Sequence, residues 1–201
     1  MATSEEARKN HDQLFPGYVS TLEVTDPELI EYFENFAFDE VLQYGSLDAP
    51  TRLMVQLAAM IACQALSDYK VMLGAALTVG VTPVEVKEIV YQAVPYVGMA
   101  KVFDFIHATN DVLTDRGVTL PVEGQSTTTP ETREQQGLAI QEQIVGSDAV
   151  DQMYASAFDD EAHFQRLLSA NCFGDTYTRT GSRPANPGAT HLRHARLARR
   201  L

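Results

Sequence analysis

The chain has 201 residues, is 45% hydrophobic and carries a formal charge of -12, which is enough apolar content to bury a substantial core and to exclude disorder throughout. No run approaches about 18 uninterrupted apolar residues, and the opening MATSEEARKNHD lacks the charged-then-apolar pattern of a secretory signal, so a soluble cytoplasmic protein without a membrane segment is expected. Positions 182–201 hold five arginines and no acid, leaving ten basic against 27 acidic residues in 1–181, a net of -17 that repels nucleic acid and anionic membrane.

Helix punctuation is legible from residue 26 to about 113 and strand alternation is nearly absent. Asp26 and Pro27 read as N-cap and first-turn proline of a helix carrying Leu29, Ile30, Tyr32, Phe33, Phe36, Phe38 and Val41, closed by Gly45. A second helix starts near Pro50; its Leu53, Met54, Leu57, Ala58, Met60, Ile61 and Ala62 cover most of the circumference and predict a centrally buried element. Ser67 or Asp68 caps a third helix, with Val71, Met72, Ala75, Ala76 and Leu77, that stops at Gly80. Thr82-Pro83-Val84-Glu85 is a capping box opening a fourth, interrupted at Pro95, and a fifth runs from about Gly98 to Leu113. Residues 114–130, rich in Thr, Gly and Pro, read as a linker. Helical patterns return over Glu131 to Val145, Ala149 to Ala155 and Glu161 to Cys172, and an aromatic-rich helix leads into Gly181 much as one leads into Gly45.

The stretch from Leu57 to Ile106, and above all GAALTVGVTPVEVKEIVYQAVPYVG, resembles the carboxymuconolactone decarboxylase family, whose fold is shared with alkylhydroperoxidase-D-like (AhpD-like) proteins. The likeness extends to about residues 25–113. It implies an all-α AhpD-like helical bundle over 1–113. After the 114–130 linker, residues 131–181 resemble the opening of a second repeat, as in two-repeat members. In such members a segment like FGDTYTRTG leads into another complete domain; here it leads into SRPANPGATHLRHARLARRL, so 182–201 reads as a basic, disordered tail after a truncated or frame-shifted repeat. Phe164, Leu167, Leu168 and Phe173 are then expected to lack the helices that would cover them.

The family's peroxidase branch uses a Cys-x-x-Cys pair with a nearby His, but Cys63 is followed three positions later by Leu66. Its neighbours Ile61, Ala62 and Ala65 predict a buried thiol. The decarboxylase branch places a His near the start of the small-residue helix, a position that falls on Met72 counting back from Gly80 and on Lys70 counting from Cys63. Lys70 can stabilise and protonate the dienolate left when a lactone loses its carboxylate, the alternative being a solvated lysine. Tyr96, at the helix break, can present its hydroxyl to a pocket or simply pack. His107 and His163 lack a second ligand at helical spacing, and His191 and His194, three apart, lack a third, so no metal and no cofactor is expected.

The resemblance thus implies a carboxy-lyase acting on a small carboxylated lactone or related cyclic acid, with Lys70, Tyr96 and Cys63 as the candidate residues. The alternatives are an antioxidant, peroxiredoxin-type activity through Cys63 alone, and a non-catalytic helical domain. The expected partners are a small-molecule substrate and further copies of the chain, in a trimer or hexamer.

Overall fold

The structure is a computed structural model and describes residues 3–181; the tail expected at 182–201, with His191 and His194, lies outside the described residues. The all-α expectation holds: among the described residues there are ten α-helices, one 3-10 turn and one π-helical segment, and no strand. They fall into two compact units, Met1–Thr82 and Pro83–Leu201. The division falls inside the 1–113 domain expected from the sequence.

The first unit opens with α1 (Glu5–Leu14), an element not anticipated from the sequence. Ser4 caps it by accepting the amide of Ala7 at 3.0 Å, and Glu5 and Glu6 complement the positive end of the helix. The same residue ties the helix down, since its hydroxyl donates to Asp39 at 2.7 Å and its amide donates to Asn35 Oδ1 at 2.7 Å. Hydrogen bonds from Gln43 and then Ser4 hold the Asp39 carboxyl below the usual carboxylate range. A short helical turn, α2 (Leu22–Thr25), leads into α3 (Pro27–Phe38).

Pro27 sits at the start of α3 as expected, but Asp26 makes no side-chain cap; its carboxylate accepts the Thr25 hydroxyl at 2.6 Å instead. The helix also ends earlier than Gly45. Asp39 leaves helical geometry, and a 3-10 turn, Glu40–Tyr44, covers the interval. Asp48 caps α4 (Ala49–Cys63) through the amide of Thr51 at 2.8 Å, and Gln64 terminates it in the left-handed region at φ 60°. The following α5 (Leu66–Thr78) begins one residue before the expected caps Ser67 and Asp68, neither of which caps it.

The core of this unit is a set of aligned stripes. Leu53, Leu57 and Ile61, spaced i, i+4 and i+8 on α4, are fully buried, as are Tyr69, Leu73 and Ala76 on α5. Each buried Leu or Ile contributes about 1.5–3 kcal/mol. The expected all-round burial of α4 is not found: Val55, Gln56, Ala58, Ala59 and Ala62 are exposed. The apolar letters around that helix exceed what its one packed face can cover. On α3, Leu29, Tyr32, Phe33 and Phe36 likewise stand exposed.

The second unit begins with α6 (Pro83–Val97), which continues through Pro95 where an interruption was expected and stops at Gly98, whose φ of 87° few other residues adopt. Its partner α7 (Met99–Asp115) packs on it through buried Val86, Val90, Val102, Phe105 and Ala108. Residues 118–130 contain no helix, and Thr127 and Thr128 hydrogen-bond to Thr178 and Asp175 at 3.1 and 3.4 Å.

Three further helices follow, α8 (Arg133–Val145), α9 (Ser147–Ala155) and α10 (Ala162–Leu167), and the chain continues into a π-helical segment, Leu168–Tyr177. That segment packs extensively along α8. Between them lies a buried polar chain in which Ser169 donates to Gln141 at 2.5 Å and shares a 2.7 Å hydrogen bond with the Tyr154 hydroxyl. As expected, Phe164, Leu167 and Leu168 remain exposed, whereas Phe173 is half-buried with its ring 5.3 Å from that of Tyr177.

Candidate functional site

Four helical faces of the first unit converge on one open cleft of about 450 Å³, within the size range of small-ligand sites. Helix α4 supplies Arg52, Gln56 and Met60, again spaced i, i+4 and i+8, and α5 supplies Asp68, Val71 and Met72. From α3 come Ile30, Phe33, Glu34 and Phe38, and from α1 and the turn after it His11, Leu14, Phe15 and Tyr18. The lining is mainly apolar, so the few charged groups in it decide what it can bind.

Those groups are unequal. Glu34 accepts a hydrogen bond from the Thr3 hydroxyl at 3.3 Å, and Asp68 lies in the first turn of α5, where the helix dipole offsets its charge. The Arg52 guanidinium has no hydrogen-bond or ion-pair partner among the described residues. A guanidinium beside apolar surface and short of acceptors attracts an anion or a developing negative charge. His11 is the ring nitrogen base of the cleft; its side chain is 15% exposed, with Nδ1 3.5 Å from Asp12.

None of Cys63, Lys70 and Tyr96 lines this cleft. Lys70 is exposed on α5, between the buried Tyr69 and the cleft residue Val71. Tyr96 lies in the second unit, half-exposed, and its hydroxyl meets that of Tyr177. Burial pushes the Tyr177 phenol up. Cys63 corrects an expectation: it is exposed, because it stands two residues beyond Ile61 and so on the side of α4 opposite the buried stripe. Cys172 is half-buried, and desolvation raises its thiol above the usual range.

Met72 does enter the cleft, at one of the two positions, with Lys70 the other, where the family resemblance leads one to expect a histidine. A thioether neither gives nor takes a proton at neutral pH. His11 and Arg52 went unnoticed in the sequence. The Ser4-Glu5-Glu6 cap with Ala7, His11 and Leu14 one turn apart could have revealed α1, but nothing local announces that Arg52 faces a cavity.

Residues 27–111, running from α3 into α7, match the family model described as Carboxymuconolactone decarboxylase family. No curated protein matches the chain. The matched segment contains the α3, α4 and α5 walls of the cleft, and α1 lies outside it. No described helix is long and apolar enough to cross a membrane.

Proposed function

We propose, on the match of residues 27–111 to the carboxymuconolactone decarboxylase family, that the first unit's cleft takes up a small carboxylated lactone or related cyclic acid and removes its carboxyl group. The observation that carries this reading is Arg52, a cation without a partner among the described residues, set in a mainly apolar cleft.

In this reaction the bond between a ring carbon and the carboxyl carbon breaks and carbon dioxide leaves. The bonding pair passes into the unsaturated lactone as a dienolate, whose charge gathers on the carbonyl oxygen. Arg52 placed at that oxygen interacts more strongly with the dienolate than with the substrate, which is the condition for raising the rate. A proton delivered to the ring completes the step, and His11, whose imidazole lines the cleft, is the group assigned to deliver it. The acidic body disfavours an anionic substrate at long range, and the local guanidinium offsets that field.

Carbon dioxide release from a carboxylated unsaturated lactone tests the reading. Arg52→Gln should lower kcat by about 10²–10³-fold with a smaller change in KM, and His11→Gln should lower it by about 10²-fold or more. Lys70→Ala should stay within a few-fold. Absence of release by the unaltered protein overturns the proposal, and a loss in Lys70→Ala as large as that in Arg52→Gln transfers the cation's role to Lys70.

Exposure of Cys63 favours a second reading, a single peroxidatic or redox-sensing thiol. Oxygen transfer from a peroxide would form sulfenic acid while the peroxide is reduced to an alcohol or water, and an external thiol would supply the two electrons that restore the cysteine. Against a chromogenic disulfide, the native protein should show a fast phase that Cys63→Ser removes and a slower one from the partly buried Cys172. Peroxide treatment that leaves no sulfenic acid on Cys63 overturns this reading.

A further inference from the structure

The wall of the cleft contributed by α1 lies outside the family-matched segment, and it is aromatic. The His11 ring lies 5.2 Å from that of Phe15, tilted at 43°, and 5.2 Å from that of Phe38, nearly edge-on at 85°. Tyr18 extends the group at 6.4 Å from His11 and 6.2 Å from Phe15. Phe15 and Phe38 themselves meet edge-to-face at 6.2 Å.

This cluster is fixed in place. Asn10 Nδ2 donates to the Phe38 carbonyl at 2.7 Å, the Phe15 amide donates to the His11 carbonyl at 2.9 Å, and the Ser4 bonds hold the start of α1 against the end of α3. Yet the group is not sealed in a core: Tyr18 is 52% exposed and Phe15 is half-buried, so ring faces and edges remain open along the cleft.

We infer that this aromatic wall makes the cleft selective for flat, conjugated ring acids over saturated ring acids of the same size. The inference rests on the reading of the cleft as a site for ring acids and adds the element that sets its specificity. A planar π system can lie offset against one ring and edge-on to another, an arrangement that gains beyond area burial. A puckered saturated ring of equal volume buries similar area without that gain and holds its axial hydrogens against the ring faces. In a ring acid that lacks a lactone carbonyl the carboxylate is left to Arg52, equally for a flat and a saturated ring, so the wall sets the choice between them.

Benzoate and cyclohexanecarboxylate, titrated calorimetrically into the full chain, provide the test. Benzoate should bind about three- to tenfold more tightly, a factor in keeping with the added worth of aromatic pairs. Tyr18→Leu, at an exposed turn position, and Phe15→Leu, which keeps an apolar side chain at a half-buried one, should each narrow that ratio toward one, and Arg52→Gln should weaken both acids alike. Equal affinities in the unaltered protein, or a ratio preserved in both leucine variants, overturns the inference even if carbon dioxide release is observed. Binding of neither acid overturns it together with the cleft assignment, whereas a benzoate preference without carbon dioxide release removes the decarboxylation alone.

Discussion

Gly137→Ala should destabilise the second unit by about 3 kcal/mol or more, although in an ordinary helix the same change stabilises by about 1 kcal/mol. Gly137 is buried on α8, and a methyl group added there would lie 2.6 Å from the Gly174 amide nitrogen and 2.8 Å from the Ser169 carbonyl carbon, and closer still to that carbonyl's oxygen. All three are backbone atoms, so no side chain can rotate aside. The crossing is reciprocal, because a methyl on Gly174 would press on the Arg133 carbonyl.

To admit the methyl, α8 and the π-helical segment must separate. Separation stretches the buried hydrogen bonds linking Gln141, Ser169 and Tyr154, and a buried polar group left unsatisfied costs about 1–3 kcal/mol. Urea unfolding, with hydrogen exchange over 133–145 and 168–177 as the local readout, measures the effect. Gly124→Ala, where nothing stands within 4 Å, serves as the control and should leave both unchanged. An unaltered or raised stability in Gly137→Ala would show that α8 and the π-helical segment do not approach at these two glycines.

Arg179→Ala should cost about 3–5 kcal/mol, the range for removing one member of a buried ion pair. Arg179 donates to Glu88 through both Nε and Nη2 at 2.7 Å, and Glu88 is only 2% exposed. The hydrogen bond to Glu88, set against partial burial, raises the Arg179 guanidinium further above its ordinary value. Its carbon also lies 5.4 Å from the Tyr91 ring centroid. Removing the guanidinium leaves a carboxylate that is only 2% exposed without this partner. The double replacement Arg179→Ala with Glu88→Leu should recover much of the loss, since exchanging a whole buried pair for apolar groups is often neutral. Thermal unfolding separates the cases. If the single variant is as stable as the parent, the pair is solvated and does not anchor the chain after Tyr177 to α6.

Much of the helical map was open to inspection in the letters. Pro27 and Pro50 lie at the starts of α3 and α4, and Gly80 and Gly98 lie at or just beyond the ends of α5 and α6 with φ of 91° and 87°. Each of these signals acts within a turn of itself, through a fixed φ, a missing N–H or a tolerated left-handed conformation. Where Pro95 misled, the helix absorbed it and ended two residues later, at Val97. Asp26 and Asp68 misled because a capping residue type sits in the right place without making the bond.

The cleft was a harder matter. A family motif points to Cys63 and Lys70 and a helix break to Tyr96, and the structure puts none of them in the cleft, which the stripes of α1, α3, α4 and α5 line instead. Arg52, Gln56 and Met60 form one such stripe, but its meaning depends on what stands opposite. His11 lies in a helix outside the family-matched segment, so no family pattern could have supplied it.

The sequence by itself determined that this chain is helical, where most helices begin and end, and that residues around 57–106 resemble the family whose model matches 27–111. Those properties are written in neighbouring residues and in a contiguous motif. Tertiary structure alone decided that Cys63 faces outward, that Gly137 and Gly174 cross at backbone distance, that Arg179 finds Glu88 from 91 positions away, and that Arg52 and His11 share a cleft. Each depends on the angle and depth at which distant segments pack, and those are set by the summed fit of whole faces rather than by the residues at any one place.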